Sequence, residues 1–168
     1  MPRTGVGIDG TCRRDWVVST FMSGMAPAET VERHADAFED AMRAGVEIYA
    51  NLKSILSATG HSTTLGDEGG FAASGLDTKK TLDLICKAVE KTRWKLGEEI
   101  FFALDVAASE LWRKEGHYWL ARTEQKRWSS EELVGEYKML IDKYPIVSIE
   151  DGLDENDWDG WKLLTGEI

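Results

Sequence analysis

The sequence is poor in cysteine and proline. Its 168 residues include only two cysteines and three prolines. Cys12 and Cys86 cannot build the disulfide framework of a small secreted domain, so a reducing compartment is the expected environment. No stretch rich in proline and glycine marks a linker, and a chain of this length can bury a sizeable core. We therefore expect a single domain over residues 1–168.

Long apolar runs and an excess of positive charge are also absent. The sequence has no run of 18 apolar residues, so no transmembrane helix is predicted, and residues 1–16 lack the apolar core of a signal peptide. Lysine and arginine number 20 against 30 aspartates and glutamates, which gives a net charge of −10. This charge disfavours binding to nucleic acid or to an anionic membrane surface. The sequence thus predicts a cytoplasmic protein with neither kind of partner.

What the sequence does contain is an alternation of strand and helix patterns. Apolar residues at helical spacing predict helices, and short β-rich or continuously apolar runs predict strands. In chain order the predictions are a strand at 16–22, a helix at 31–56, a strand at 62–65, a helix at 77–92, a strand at 100–106, a returning hairpin strand at 118–120, a helix at 129–144, a strand at 146–149 and a helix at 156–164. Apolar strands that alternate with helices are typical of a parallel sheet covered by helices.

Local signals set several of the element boundaries. Gly60 is a plausible stop for the first helix, and Pro145 should stop the third. Ser129 and Glu132 have the spacing of a capping box, in which each side chain accepts a hydrogen bond from the other residue's backbone N–H. The third helix is therefore expected to begin directly after Ser129.

Acidic residues occur at the ends of three successive predicted strands. Without the hairpin strand, Glu68 follows the second strand (62–65), Asp105 lies near the end of the third (100–106), and Glu150 follows the fourth (146–149). In a parallel sheet these ends lie on one face, which in a (β/α) barrel is the face that carries the active site. Carboxylate oxygens, with few nitrogen or sulfur donors nearby, suit Mg²⁺. The pattern therefore predicts a magnesium site on this face.

Each acid also has a simpler explanation. Asp67 could cap the turn that contains Gly69 and Gly70. An acid in an apolar strand is costly to bury, so Asp105 should be paired, hydrogen-bonded or metal-bound. The role of Asp151 stays open. The remaining acids of the last loop are expected to be solvated, or to be helix-start charges favoured by the helix dipole: Asp154, Glu155, Asp157 and Asp159.

Three segments, in order, resemble the bacterial form of enolase, phosphopyruvate hydratase. They are STTLGDEGGFA at 62–72, ALDVAASE at 103–110 and YPIVSIEDGLDENDW at 144–158. The resemblance covers roughly residues 15–165, after an irregular segment at 1–14. It implies an α/β fold, a partial TIM-type barrel with about half of the eight strands and with helices on the outside. By the same resemblance, the N-terminal enolase domain and the C-terminal half of the barrel are absent.

The resemblance also implies a reaction and a set of site residues. Enolases are lyases of glycolysis that interconvert 2-phosphoglycerate and phosphoenolpyruvate with two Mg²⁺ ions per active site. Asp105 and Glu150 match two of the three carboxylate ligands of one Mg²⁺ site, and Glu68 matches the catalytic acid on the side where hydroxide leaves. No substrate-binding residue is assigned. Divalent cations suit this chemistry because proton abstraction beside a carboxylate creates a dianion.

The sequence also departs from the family pattern. Thr20 stands where the family has a second glutamate of the leaving-group pair. The third metal aspartate, the lysine general base and the substrate-holding groups of the family lie beyond the matched region. We therefore expect at most a partial magnesium site and a catalytically incomplete chain. A non-catalytic module that binds a divalent metal, a fragment that associates with itself through open sheet edges, and a remnant without a role stay open as alternatives.

Overall fold

The structure is a computed structural model that describes residues 17–22, 31–66, 69–120 and 126–168, with side chains described from residue 39 onward. Most predicted helices and strands are confirmed within one to three residues. The elements are β1 Val17–Met22, α1 Val31–Ala58, α2 Thr78–Glu90, β2 Ile100–Asp105, a 3₁₀ turn Ala108–Glu110, β3 Trp112–Arg113, β4 His117–Leu120, β5 Lys126–Trp128, α3 Ser130–Lys143, β6 Ile146–Glu150 and α4 Trp158–Glu167. The mixed α/β architecture agrees with the expected partial barrel.

The main sheet has the strand order β1-β2-β6 and is not wholly parallel. Strands β2 and β6 pair in parallel, as expected, but β1 pairs with β2 in the antiparallel direction. The alternation of strands and helices predicted a parallel sheet, and that prediction is wrong for β1. Between β2 and β6 the chain crosses back along one long helix, α3, which returns it to the same end of the sheet. Between β1 and β2 it passes along two helices, α1 and α2, and so enters β2 from the opposite end.

The strand expected at 62–65 is reduced to an isolated bridge. Among the described residues, Leu65 forms a bridge with Phe71 alone, in the antiparallel direction, and so closes a local loop. The loop is held by hydrogen bonds from Gly66 N to the Gly70 carbonyl (2.8 Å) and from Ala72 N to the Thr64 carbonyl (2.8 Å). The amides of Gly66 and Ala72 are therefore satisfied within the loop and not by a neighbouring strand.

A second, smaller sheet follows β2 and has the order β3-β4-β5. It confirms the returning strand expected at 118–120. One face of this sheet carries Tyr118, Leu120 and Trp128, all of which are buried, so the sheet packs against the rest of the chain as part of the same core. The excursion between β2 and α3 thus contributes to the domain that carries the strand ends.

The core lies on one face of the main sheet, between the sheet and the helices. Ile100, Phe102 and Leu104 alternate along β2 and are fully buried against this layer. Their main helical partners are the buried apolar residues Ala44, Ile48, Leu52 and Leu56 of α1, Leu82, Ile85 and Val89 of α2, and Leu133, Tyr137 and Leu140 of α3. On β6, by contrast, Val147 is 56% exposed. None of the helices in the described ranges is long and apolar enough to span a membrane.

The predicted boundary signals are confirmed. Gly60 has a φ of +77°, a left-handed conformation in which glycine escapes the steric penalty of a side chain, and it lies two residues after the end of α1. The capping box is complete: the Ser129 side chain accepts from Glu132 N at 3.2 Å, and the Glu132 side chain accepts from Ser129 N at 2.9 Å. Helix α3 ends at Lys143, two residues before Pro145.

Candidate functional site

The carboxyl ends of β2 and β6 bring two predicted site residues together. Asp105 and Glu150 are partners in the parallel register of these strands, so both leave the sheet on the same side. Asp105 is half-buried, whereas Glu150 is exposed. The third predicted acid, Glu68, and its neighbour Asp67 lie outside the described residues.

Beyond these two acids, the backbones of the two strands stay bonded to each other. Val106 N donates to the Glu150 carbonyl at 3.0 Å, and Ala108 N donates to the Asp151 carbonyl at 2.9 Å. Ala107 and Asp151 both have a left-handed φ, of +46° and +48°, although neither is a glycine. Most L-residues avoid this conformation. The chain therefore makes two paired turns immediately after the two acids.

The loop that follows Glu150 is anchored on three sides. From α3, the buried Tyr137 hydroxyl donates to the Gly152 carbonyl at 2.5 Å. From β4, the Tyr118 hydroxyl accepts from Asp154 N at 2.9 Å, and from the 3₁₀ turn the Ser109 hydroxyl accepts from Glu155 N at 3.1 Å. Burial raises the pKa of the Tyr137 hydroxyl well above its usual value, which keeps it a hydrogen-bond donor. The loop is therefore fixed relative to the ends of β2 and β6.

Asp157 begins α4 and joins three elements. One of its carboxylate oxygens accepts from the Tyr118 hydroxyl at 2.7 Å and from the Ser130 hydroxyl at 2.5 Å, and the other accepts from Gly160 N at 3.0 Å. Burial by itself would raise the pKa of this carboxyl, but the hydrogen bonds from Ser130, Tyr118 and Gly160 together hold the pKa below its usual value. Asp157 is thus a helix cap with a structural role, consistent with a helix-start charge.

The expectation of solvated acids is wrong for Asp154. Asp154 is only 7% exposed. The Trp161 indole donates to its carbonyl at 3.0 Å, and its side chain accepts from Asn156 N at 2.9 Å. Glu155 and Asp159 are exposed, as predicted. The loop before α4 folds back on itself and buries Asp154. The sequence pattern predicts where the helix begins, but not this fold of the loop.

Tyr49 of α1 contacts Gly69 and Phe71, which follow Glu68 in the sequence. Its ring stacks on Phe71 with centroids 4.3 Å apart, and its hydroxyl donates to the Gly69 carbonyl at 3.0 Å. The helical spacing of residues 31–56 places Tyr49 on the apolar face of α1, and such spacing cannot reveal a contact made by the tip of a side chain. Thr20, where the resemblance implies a second glutamate, pairs with Phe102 in the backbone register of β1 and β2.

The donor set that the described residues provide is small. Among them, no group of three or more histidine, cysteine, aspartate or glutamate side chains is placed to hold a metal ion. Asp105 and Glu150 supply carboxylate oxygens only. Magnesium typically takes one or two protein carboxylates and completes its shell with water and substrate oxygens. The pair therefore fits part of a magnesium site by its chemistry.

Two comparisons with known proteins bear on this site. The family described as "Enolase, C-terminal TIM barrel domain" matches residues 24–168, a range that includes both strand ends and the loops beyond them. The chain is also 53% identical to the enolase of Corynebacterium kroppenstedtii over 135 residues. That match covers 80% of this chain but only 31% of the length of the relative.

Proposed function

The chain belongs to the enolase family, and from that membership we propose that Asp105 and Glu150 contribute carboxylates to a Mg²⁺ site. The observation that carries the proposal is their pairing at the carboxyl ends of two parallel strands. The relative is named for the whole enzyme, whereas this chain spans 31% of its length. The proposal therefore concerns the part of the site that these residues can form.

The reaction we propose for this site is the interconversion of 2-phosphoglycerate and phosphoenolpyruvate in glycolysis, which would place the protein in the cytoplasm. In the forward direction the general base of the family, to which no residue of this chain is assigned, would take a proton from the carbon beside the carboxylate, and hydroxide would leave the next carbon. A bound divalent cation would offset the negative charge that develops on the substrate carboxylate. Asp105 and Glu150 would hold the cation, and Glu68 would donate a proton to the leaving hydroxide.

Thr20 stands in place of one of the two glutamates that the family places beside the leaving hydroxide, and this limits proton transfer to that group. A threonine hydroxyl has no accessible ionisation near neutral pH, so it cannot replace a carboxylic acid in proton transfer. We propose that the 168-residue chain binds a divalent cation but does not by itself catalyse the reaction at rates typical of enzymes. The paired carboxylates of Asp105 and Glu150 support the proposed cation binding.

Calorimetry and a turnover assay test this proposal together. Titration with Mg²⁺ should give heat from the parent chain that is lost in Asp105→Asn and retained in Asp159→Asn, a control in which an exposed acid is neutralised. Equal binding by parent and Asp105→Asn would argue against the assigned ligand. Phosphoenolpyruvate formation from 2-phosphoglycerate at high Mg²⁺, at a turnover rate above about 1 s⁻¹, would contradict catalytic incompleteness.

One observation favours a second candidate, self-association through the sheet. Strand β6 is an outer strand of the described sheet, and its Val147 is 56% exposed. An outer strand with exposed apolar side chains presents unpaired backbone groups to another chain. We propose that isolated chains associate along this strand, and sedimentation over a range of concentrations tests it. A sedimentation coefficient independent of concentration would contradict it.

A further inference from the structure

The acids at the ends of β2 and β6 are each followed closely by a left-handed residue. Ala107 lies two residues after Asp105, and Asp151 lies directly after Glu150. The other left-handed residues of the described chain are glycines, namely Gly60, Gly69, Gly75, Gly97 and Gly116. A glycine reaches this conformation without a steric penalty, whereas an alanine or an aspartate does so at a cost. Two such residues at one edge of the sheet call for a physical explanation.

The surroundings show what maintains this geometry. The amide of Ala108, the residue after Ala107, is bonded to the carbonyl of Asp151, so each turn is tied to the other. Val106 and Ala108 are fully buried, and Tyr137 fixes the carbonyl of Gly152. Strained backbone conformations persist where neighbouring contacts determine them, and they concentrate at functional sites.

The consequence for the two acids follows from this linkage. If either turn relaxed toward an extended conformation, its strand would continue past the acid and the bond between Ala108 N and the Asp151 carbonyl would be lost. The separation and direction of the two carboxylates would then vary. A cation held by two protein ligands is sensitive to such variation, because ligand pre-organisation contributes to its affinity.

We propose that Ala107 and Asp151 are positioning residues, whose paired left-handed turns hold Asp105 and Glu150 side by side for a divalent cation. The inference rests on the proposed magnesium role of these acids. It assigns to Asp151 a backbone role, in which its charge is dispensable. Aspartate and asparagine tolerate the left-handed region better than other non-glycine residues, and β-branched residues tolerate it poorly.

This difference supplies a matched series of variants. Asp151→Asn and Asp151→Val both remove the charge, but only valine opposes the left-handed turn. At the other turn, Ala107→Gly favours the conformation and Ala107→Val opposes it. The probe is Mn²⁺, with the bound fraction measured by electron paramagnetic resonance on the 168-residue chain. Circular dichroism establishes that each variant is folded under the same conditions.

We expect Asp151→Asn and Ala107→Gly to bind Mn²⁺ within about twofold of the parent, and the two valine variants to bind at least about fivefold more weakly. Equal weakening by asparagine and valine at position 151 would show a role of charge and would overturn the proposal. Unchanged binding by folded valine variants would overturn it as well. If valine prevents folding, Asp151→Ala, with a smaller penalty, replaces it and should fall between asparagine and valine.

A second readout separates this inference from the proposed metal role. Hydrogen exchange at the amides of Val106 and Ala108 reports the two bonds that join the turns, with or without metal. We expect exchange at Ala108 to be at least about tenfold faster in Asp151→Val than in Asp151→Asn. A parent chain that binds no Mn²⁺ would overturn the metal role, and the exchange rates would still decide the positioning role: equal rates in the two variants would overturn it.

Discussion

At the scale of single residues, Asp157 shows how one carboxylate stabilises several elements at once. Its two oxygens accept three hydrogen bonds, from β4, from the start of α3 and from the start of α4. The same tyrosine that donates to it accepts from Asp154 N, which lies in the loop after the acid pair. The stability of this loop is therefore coupled to a residue that has no proposed part in the chemistry.

Asp157→Asn should destabilise the fold. Asparagine still offers one oxygen for the helix cap, but its amide group faces the hydroxyls of Tyr118 and Ser130, which now donate to a carboxylate. We expect a loss of about 1–3 kcal/mol in the free energy of unfolding, measured with urea. The control Asp159→Asn alters an exposed acid and should change this free energy by less than about 0.5 kcal/mol. Equal effects of the two substitutions would contradict the assigned network.

The stability of the fold should also depend on pH through Asp157. The pKa of Asp157 is lowered by folding, so the unfolded chain binds its proton more readily. Its contribution is therefore fully present above the unfolded pKa of about 4 and is lost as the pH falls through the folded pKa. Urea unfolding at pH 7 and near pH 3 should show a smaller difference between parent and Asp157→Asn at the lower pH. A difference that grows on acidification would contradict this sign.

At the scale of elements, helices could be predicted from the sequence more completely than sheet pairing. Helical spacing, Gly60 and the Ser129–Glu132 box are local signals, and each of them is confirmed. The antiparallel pairing of β1 was not predicted, because a strand was expected at 62–65, between the two helices that separate β1 from β2. The strand expected at 62–65 failed because its backbone bonds close within a loop.

The candidate site was likewise predictable only in part. The sequence pattern indicated that Asp105 and Glu150 share an edge of the sheet, and their register pairs them. The left-handed turn at Ala107 carries no sequence signal, and an aspartate at position 151 is a much weaker signal than a glycine would be. The burial of Asp154 was missed because its contacts depend on how the loop folds: the Trp161 indole reaches back to its carbonyl, and its amide donates to Tyr118, 36 residues earlier in the sequence.

Removal of the capping box should weaken α3 measurably. In Ser129→Ala the amide of Glu132 loses its acceptor at the first turn of the helix. We expect the free energy of unfolding to fall by about 1 kcal/mol. The control Ser54→Ala replaces an exposed serine inside α1, where alanine is a better helix former, and it should be neutral or slightly stabilising. Thermal melts of both variants check the prediction, and equal melting temperatures would contradict it.

At the scale of the whole molecule, the strands of the main sheet are unequally covered. Strand β2 packs on the helices, and its residues Ile100, Phe102 and Leu104 are almost completely buried. Strand β6 lies at the edge of the described sheet, and it carries both the exposed Val147 and, three residues later, Glu150. The proposed chemistry and the proposed association thus concern the same strand. If two chains associate along β6, Glu150 would therefore lie close to the contact between them.

A lysine at position 147 should separate these two roles. Charged side chains on outer strands oppose edge-to-edge pairing, because pairing would remove the ammonium group from water. We expect Val147→Lys to weaken self-association at least about tenfold in sedimentation equilibrium. The control Met139→Lys adds the same charge at a position that is similarly exposed (53%), but on α3, and it should associate like the parent. If both lysine variants weaken association equally, net charge and not the β6 edge controls it. If neither does, the contact lies elsewhere on the molecule.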